Sequence, residues 1–293
     1  MNVGFIGLGQ MGGAMAANLL KGGHKVKGFD IAQPALDRLK SNGGTPCSSM
    51  EEAATDVDVV FTMLPNSSYV ESAVNDHLLK VMRKGSIFVD SSTILPTTTV
   101  RVGEILKKNG IRMVDAPVGR TSDDANKGTL LFMVGGESAD IDEIRPCLNC
   151  MGDTVLHCGK LGAGIATKIL NNYMTVTLNV LTAETLVLGN HLGLDQDKLL
   201  DALRGTPAGR SHINTTYPAK VLKGDVSPAF MLDLANKDLG LALEVAANFN
   251  VPFFTGAAAR QAYSLARGQG RGREDWTAMY LAIEEMSKQQ PAK

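Results

Sequence analysis

The sequence predicts an α/β domain built on a mostly parallel sheet, followed by an all-helical domain. Up to about residue 160, short apolar runs alternate with helical stretches, and after that only helical periodicity remains. Nearly continuous apolar runs are typical of strands covered on both faces, and their alternation with helices implies right-handed crossovers in a parallel sheet. A length of 293 residues also favours two cores. The glycine-rich run LGAGI opens a long helix, so we place the domains at 1–162 and 163–293.

The elements can be assigned in chain order from these patterns. The predicted strands are NVGFIG, KVKGF, DVVFTML, SIFVDSS, RMVDAPV, LLFMVGG and TVLHCG. The predicted helices of the second domain span 163–191, 195–204, 211–223, about 229–249, 255–268 and 274–287.

Composition argues against several classes of protein. The chain carries a formal net charge of −1, whereas nucleic-acid-binding proteins usually carry a basic excess. It holds no run of about 20 apolar residues, the length that a membrane span needs, and no secretory leader. These features predict a cytoplasmic protein that binds neither nucleic acid nor membrane.

Several side chains that zinc could use lie close together in the sequence. They are Cys147, Cys150, His157 and Cys158. Zinc sites do combine Cys and His at short spacings, but adjacent residues in a strand point to opposite faces, so His157 and Cys158 are poorly placed to share one ion. Thiols in a reducing compartment are ordinary core residues. We therefore predict no metal site.

A glycine-rich turn separates the first predicted strand from the first predicted helix. Its sequence is Gly7-Leu8-Gly9-Gln10-Met11-Gly12. Gly7 permits a tight turn, Gly9 lets the backbone approach a pyrophosphate, and Gly12 lets helix and strand pack closely. The helix start then offers unpaired N–H groups to phosphates. This turn predicts a Rossmann dinucleotide-binding domain.

An acidic residue completes the cofactor signature. Asp30 follows the second predicted strand, 18 residues after Gly12. A carboxylate there accepts hydrogen bonds from the ribose hydroxyls and repels a 2′-phosphate, which predicts NAD as the cofactor, with NADH preferred over NADPH. The alternative is a glycine-rich turn followed by a surface aspartate.

A polar stripe runs along the long helix that follows Gly162. It consists of Lys168, Asn171, Asn172, Thr175, Asn179 and Thr182, whose spacing places them on one helical face. A solvent-facing stripe would normally carry several long charged residues, so this composition suits the wall of a polar cleft. A lysine in a partly desolvated cleft has a lowered pKa and can act as a general acid or base. The alternative is a stripe that packs against a neighbouring helix or subunit.

Several further motifs occur in a particular order along the whole chain. They are GFIGLGQMG, Asp90-Ser91-Ser92-Thr93, Asp115-Ala116-Pro117-Val118, GAGxxxKxxNN and Asn236-Lys237-Asp238. With them the sequence resembles the β-hydroxyacid dehydrogenase family. The resemblance implies that Lys168 is the catalytic acid/base, that the substrate is a small anionic aldehyde or hydroxy acid, and that the long helix packs between the subunits of a dimer or tetramer. It also implies cofactor contacts from Gln10, Met11, Asp30, Leu64, Pro65, Thr93 and Lys237.

One segment departs from the pattern of that family. Where the family usually has Ser-Gly-Gly after its D-x-P-V strand, this chain reads Gly119-Arg120-Thr121-Ser122. A guanidinium is a planar, two-pronged donor suited to a larger or more acidic oxyanion. We assign the substrate-binding residues to Gly119, Arg120, Thr121, Ser122, Asn171, Asn172 and Thr175. The alternatives are a surface arginine with a plain carboxylate substrate, and a protein that binds NAD as a non-catalytic scaffold.

Overall fold

The structure is a computed structural model that describes residues 1–288. Its chain forms two compact units, Met1–Tyr173 and a second that begins at Met174. The sequence placed the boundary at 162, ahead of the long helix. The first turns of that helix belong instead to the first unit, because Ile165 is buried in its core and Ile169 packs against the same cluster.

The first unit contains a nine-stranded sheet. Its strands are β1 (Asn2–Ile6), β2 (Lys25–Phe29), β3 (Thr45–Pro46), β4 (Val59–Thr62), β5 (Ile87–Asp90), β6 (Arg112–Asp115), β7 (Val118–Gly119), β8 (Leu130–Gly135) and β9 (Gly152–Gly159). The order is β3-β2-β1-β4-β5-β6-β8-β7, with β9 paired to β8. Strands β1 to β6 are parallel, whereas β8 runs antiparallel to β6 and β7.

Helices connect these strands and cover the sheet. They are α1 (Gln10–Lys21), α2 (Gln33–Ser41), α3 (Met50–Ala54), α4 (Ser67–Ser72), α5 (Pro96–Lys108), α6 (Ser122–Lys127) and α7 (Ser138–Met151). The residues of β4 and β5 are fully buried, as expected for central strands covered on both faces. Two apolar clusters form the core, one around Phe5 and Phe61, the other around Phe88 and Val60.

The order of the strands creates one switch point. From β1 the chain first extends the sheet through β2 and β3, then returns to the other side of β1 with β4 and continues outward. In open α/β sheets, ligands bind in the crevice outside the carboxyl ends of the strands at such a point. The confirmed fold is therefore a Rossmann-type domain followed by helices.

The helix α8 (Ala163–His191) begins in the first unit and continues into the second. The second unit then contains α9 (Gln196–Arg204), α10 (Pro207–Arg210), α11 (Thr216–Ala219), α12 (Leu232–Asn248), α13 (Phe254–Gly268) and α14 (Met279–Lys288). The predicted helix at 211–223 was wrong: Ser211 has φ 71° and starts no helix, and Lys220, with φ −122° and ψ −102°, separates α11 from a short 3₁₀ turn. No helix within the described residues is both long and apolar enough to cross a membrane.

Candidate active site

The glycine turn after β1 is shaped by close backbone approaches. Gly7 has φ 90°, and a methyl group on it would overlap the carbonyl oxygen of Met63. A methyl group on Gly12 would overlap the carbonyl oxygen of Gly7, so α1 packs directly onto the turn. Gly9 faces open space, and no side chain caps the start of α1. Open space beside uncapped N–H groups fits a pyrophosphate.

The other residues expected to contact the cofactor follow the same edge of the sheet. Leu64 and Pro65 follow β4, and Thr93 follows β5. The N–H of Leu64 donates to the Ser92 hydroxyl at 2.8 Å, which ties these two strand ends together. Gln10 and Met11 open α1 beside them. The structure thus brings the predicted contacts of the first unit to one edge, while Lys237 lies on α12 of the second unit.

Asp30, at the end of β2, holds the glycine turn in place. Its Oδ2 accepts the N–H of Leu8 at 2.6 Å, and its Oδ1 accepts the N–H of Ala32 at 2.8 Å. A carboxylate has about four acceptor positions, so both oxygens retain capacity for ribose hydroxyls. Asp30 therefore combines a fixed position with free acceptor sites at the β2 side of the crevice.

The start of α8 docks on the opposite side of the crevice. A methyl group on Gly164 would overlap the carbonyl oxygen of Met133, and one on Gly135 would lie 2.9 Å from the Gly164 nitrogen. Asp115, at the end of β6, accepts the N–H groups of Gly162 and Ile165, each at 2.7 Å. Within the GAG run, Gly164 therefore permits the close docking of this helix on the sheet, and Gly162 supplies one of the N–H groups that Asp115 accepts.

Lys168 lies one turn beyond Gly164. Its neighbours on the helix, Ile165 and Ile169, belong to the apolar cluster that also contains Ile94 and contacts Leu64. The Lys168 side chain is half-buried, and this burial lowers the pKa of its ammonium group. From β2 to β6 there are four strand spacings, or about 19 Å, so Asp30 and Lys168 stand at opposite ends of the crevice.

The amides of the predicted polar stripe accompany Lys168 along α8. The side-chain amide of Asn171 donates to the Asn172 side-chain oxygen at 3.2 Å, and Asn171 is exposed while Asn172 is half-buried. Both residues therefore present polar atoms on the same stretch of helix as Lys168. Thr175 lies beyond the boundary, in the second unit.

The predicted anion-binding segment extends past the end of β6. Strand β7 carries Gly119, and Arg120 follows with φ 74°. The Arg120 Nη1 donates to the Thr129 carbonyl and to Asp153 Oδ2, the latter at 2.7 Å. Thr121, which precedes α6, donates its N–H and its hydroxyl to Asp124 Oδ2 at 3.0 and 2.7 Å, and Ser122, which begins α6, is half-buried.

Two side chains of this region were missed from the sequence. Asp153, on β9, pairs with Arg120 although 33 residues separate them. Asp115 appeared in the sequence only as part of a motif, and the one feature that could have indicated its role was its position at the end of a buried strand.

The cysteines of the candidate zinc cluster lie on α7 and β9. Within residues 1–288 no group of three or more His, Cys, Asp or Glu side chains could hold a metal ion.

Fold and glycine turn define a nucleotide-binding dehydrogenase of the Rossmann class. The family profile described as the NAD-binding domain of 6-phosphogluconate dehydrogenase matches residues 2–159. A second profile, described as NAD-binding of NADP-dependent 3-hydroxyisobutyrate dehydrogenase, matches residues 162–283. The chain belongs to the β-hydroxyacid dehydrogenase family and is an NAD(P)-dependent oxidoreductase, which excludes the non-catalytic scaffold.

The similarity to individual relatives extends over nearly the whole chain. The chain is 43% identical to 3-sulfolactaldehyde reductase of Escherichia coli K12, covering 94% of each protein. It is 37% identical to 2-(hydroxymethyl)glutarate dehydrogenase of Eubacterium barkeri, covering 98% of this chain and 96% of that protein. Among solved structures, 3-hydroxyisobutyrate dehydrogenase of Mycobacterium tuberculosis with L-serine matches with a TM-score of 0.69 at 34% identity, covering 96% of this chain and 98% of that one.

Replacement of Lys168 tests whether it supplies the proton. General acid–base groups contribute about 10²–10⁴-fold in rate, so Lys168→Ala should lose kcat by roughly that factor. NADH binding, followed by fluorescence titration, should persist because the glycine turn is unchanged. The exposed Lys160, which precedes the same helix, provides the control variant Lys160→Ala. A loss of only two- or threefold in Lys168→Ala would assign the proton transfer to another group.

Proposed function

We propose that this enzyme reduces 3-sulfolactaldehyde to 2,3-dihydroxypropane-1-sulfonate with NADH, a step of sulfoquinovose breakdown. The observation that carries the proposal is Arg120, which stands where the family pattern has a glycine. Identity of 43% to a 3-sulfolactaldehyde reductase supports the same substrate. A sulfonate stays ionised at any physiological pH, so a permanently charged donor matches it.

The backbone at Arg120 supports a role for its side chain. Its φ of 74° lies in the left-handed region that favours glycine. Non-glycine residues in that region cost of order 1–3 kcal/mol and are concentrated at functional sites. The ion pair with Asp153 is exposed, and such pairs contribute little to stability. An arginine held in a conformation that glycine would occupy more readily is therefore better explained by recognition than by folding.

The guanidinium keeps donor capacity for a substrate. Its Nη1 is used by Thr129 and Asp153, and its Nη2 makes only a 3.4 Å contact with the Thr154 hydroxyl. Within residues 1–288 its Nε has no hydrogen-bond partner. Nε–H and one Nη2–H form the two-pronged face that binds an oxyanion, while Asp153 fixes the other side of the group.

The reaction divides between the cofactor and Lys168. NADH, when held by the glycine turn and Asp30, would provide the hydride for the aldehyde carbon. Lys168 donates a proton from its Nζ to the carbonyl oxygen, where negative charge develops, and its lowered pKa suits this transfer. Asn171 and Asn172 orient the oxygen or the ammonium group, and Ser122 with Gly119 and Thr121 lines the path of the anion. The proposal also includes Thr175 as a substrate-binding residue and Lys237 as a cofactor-binding residue.

The competing substrate class is a plain carboxylate. The names of other relatives include 2-(hydroxymethyl)glutarate dehydrogenase and 3-hydroxyisobutyrate dehydrogenase, at 37% and 36% identity. For this chain the candidates of the carboxylate class are 3-hydroxyisobutyrate and, from the family resemblance, tartronate semialdehyde. A higher kcat/KM for either of these than for 3-sulfolactaldehyde would overturn the proposal.

Asp30 supports the preference for NADH. Because two backbone N–H groups fix its carboxylate at the end of β2, the carboxylate cannot easily turn away from a 2′-phosphate.

We also propose that the protein is a homodimer or homotetramer, because the second unit leaves an apolar stripe of α8 exposed. Its own core clusters within the described residues are small, one around Leu232 and the other around Leu188. Exposed apolar residues of that stripe include Val176, Val180 and Val187.

Replacing Arg120 with glycine separates recognition from stability. Hydrogen bonds to charged groups contribute about 1.5–3 kcal/mol each, so kcat/KM for 3-sulfolactaldehyde should fall at least about 10-fold in Arg120→Gly. Activity on an uncharged aldehyde of similar size should change little. The melting temperature should stay or rise, because glycine relieves the backbone. Arg145→Ala, which removes another exposed ion pair, is the control. Equal losses on both substrates would make Arg120 structural.

Replacing Asp30 tests the choice of cofactor. The ratio of kcat/KM for NADH to that for NADPH should exceed one in the unaltered enzyme and should approach one in Asp30→Ser, because the repelling charge is gone. Asp37→Ser removes a nearby exposed carboxylate from α2 and should leave the ratio unchanged. Equal use of both cofactors by the unaltered enzyme would refute the assignment.

Light scattering tests the oligomer. We expect a mass of two or four chains for the unaltered protein and a lower mass for the double variant Val176→Lys and Val180→Lys, since lysines in a buried contact are costly. Leu222, which is 60% exposed outside the α8 stripe, gives the control Leu222→Lys. A monomeric unaltered protein at micromolar concentration would contradict the proposal.

A further inference from the structure

The chemistry proposed above gives no role to the buried carboxylate of Asp115. Asp115 ends β6 and is 1% exposed. Its register partner on the neighbouring strand is Asp90, also buried, so two carboxylates stand side by side at this edge of the sheet. Asp90 is bound by the Thr62 hydroxyl and the Ser92 N–H, within its own strand ends. Asp115 instead reaches across to another element.

That element is the start of α8. Oδ1 of Asp115 accepts the N–H of Gly162, and Oδ2 accepts the N–H of Ile165, each at 2.7 Å. The first N–H groups of a helix have no partner within the helix, so both oxygens satisfy donors that would otherwise be buried unpaired. Lys168 follows Ile165 by three residues, on the next turn of the same helix.

The surroundings leave Asp115 no alternative position. A methyl group on Gly164 would lie 2.8 Å from Asp115 Oδ2, and one on Gly135 would overlap Oδ1. The carboxylate is thus enclosed between β8 and the first turn of α8, where only glycines leave room for it. Any change in its hydrogen bonding must move the helix start or leave a buried N–H unsatisfied.

We propose that Asp115 is a positioning residue for Lys168: its ionised carboxylate fixes the first turn of α8, and protonation releases that turn. The inference rests on the role of Lys168 proposed above. A protonated carboxyl turns one acceptor oxygen into an O–H donor, which faces a backbone N–H and cannot bind it. One of the two bonds is then lost, and a displacement of about 1 Å at a catalytic group can lower the rate about 10²-fold.

The pKa of Asp115 is raised to about 6, mainly by burial and to a smaller extent by the neighbouring charge of Asp90. The N–H groups of Gly162 and Ile165 oppose this shift. From the other elements packed against it, β8 presents Gly135 and α8 presents Gly164, so Asp90 is the titratable group that acts on it among residues 1–288. Activity should therefore fall as the pH drops through about 6.

The sign of the linkage separates this loss from acid unfolding. Because the pKa of Asp115 is higher in the folded protein than its usual value of 3.8, the folded state binds this proton more readily than the unfolded chain. Its contribution to stability is present at low pH and is lost as the pH rises through about 6. Acidification therefore lowers activity through Asp115 without lowering the free energy of unfolding. The loss of activity at high pH comes instead from Lys168, because this side chain must be protonated for reduction.

The test compares Asp115→Asn with Glu184→Gln. Glu184 is a buried carboxylate that accepts the N–H groups of Thr255 and Gly256 at the start of α13, so it matches Asp115 in burial and bonding. The pH profile of kcat for aldehyde reduction is measured between about pH 5 and 8 with NADH. The unaltered enzyme and Glu184→Gln should both show a fall in kcat as the pH drops through about 6, which is the acid limb of the profile. Asp115→Asn should lack this acid limb. Its kcat at pH 7 should be about 10- to 100-fold lower than that of the unaltered enzyme, and its Kd for NADH should stay within about twofold.

An acid limb that persists in Asp115→Asn, or an unchanged kcat, would overturn the inference. Amide hydrogen exchange of the unaltered protein gives a second measurement that does not depend on any variant folding. The protection factor of the Ile165 amide should drop as the pH falls through about 6, and constant protection would also overturn the inference. If Lys168→Ala keeps full activity, the proposed role of Lys168 fails, whereas the exchange result still reports on Asp115 alone.

Discussion

Close approach of backbone to backbone at the carboxyl edge of the sheet is the constraint on which the site depends. It occurs twice. On one side, Gly12 of α1 lies against the turn at Gly7. On the other side, Gly164 of α8 lies against Gly135 of β8. The first contact places the uncapped N–H groups of α1 at the crevice. The second fixes the position of the first turns of α8, which carry Lys168. The glycine turn and the start of α8 thus each depend on a position that has no room for a side chain.

Carboxylates hold the irregular segments between these contacts. Asp30 binds the glycine turn, Asp115 binds the start of α8, and Glu184 binds the start of α13. In the second unit, Asp275 accepts the N–H groups of Ala229 and Phe230. Each acceptor satisfies backbone donors that secondary structure leaves unpaired. The hydrogen bonds partly offset the cost of burying such a charge, and they also restrict the loop to one arrangement.

Local patterns predicted most of the fold. The glycine turn, the seven apolar runs and the bounds of α8 could be read from the sequence because each depends on neighbouring residues. The helix expected at 211–223 did not form because Ser211 and Lys220 both take backbone angles outside the helical range, which their residue types do not indicate. The first turns of α8 pack with the first unit because Ile165 and Ile169 join its apolar core, and such tertiary packing cannot be predicted from where a helix starts.

For the candidate site, sequence could name the residues but not their partners. The pairing of Arg120 with Asp153 depends on β9 lying beside β8, a contact between strands whose register no local pattern specifies. The same holds for Asp115, whose partners Gly162 and Ile165 are 47 and 50 residues away. Lys168 was found because its polar neighbours share its helical face, which is a local property.

The positive φ at Arg120 has a consequence for how such a pocket can change over time. Because glycine and arginine can both occupy this backbone conformation, an exchange between them leaves the course of the chain after β7 intact. A single codon can therefore add or remove a full positive charge at the end of the strand without any compensating change in the scaffold. Proteins that share this fold can therefore differ in charge at this position while the strands around it keep the same course.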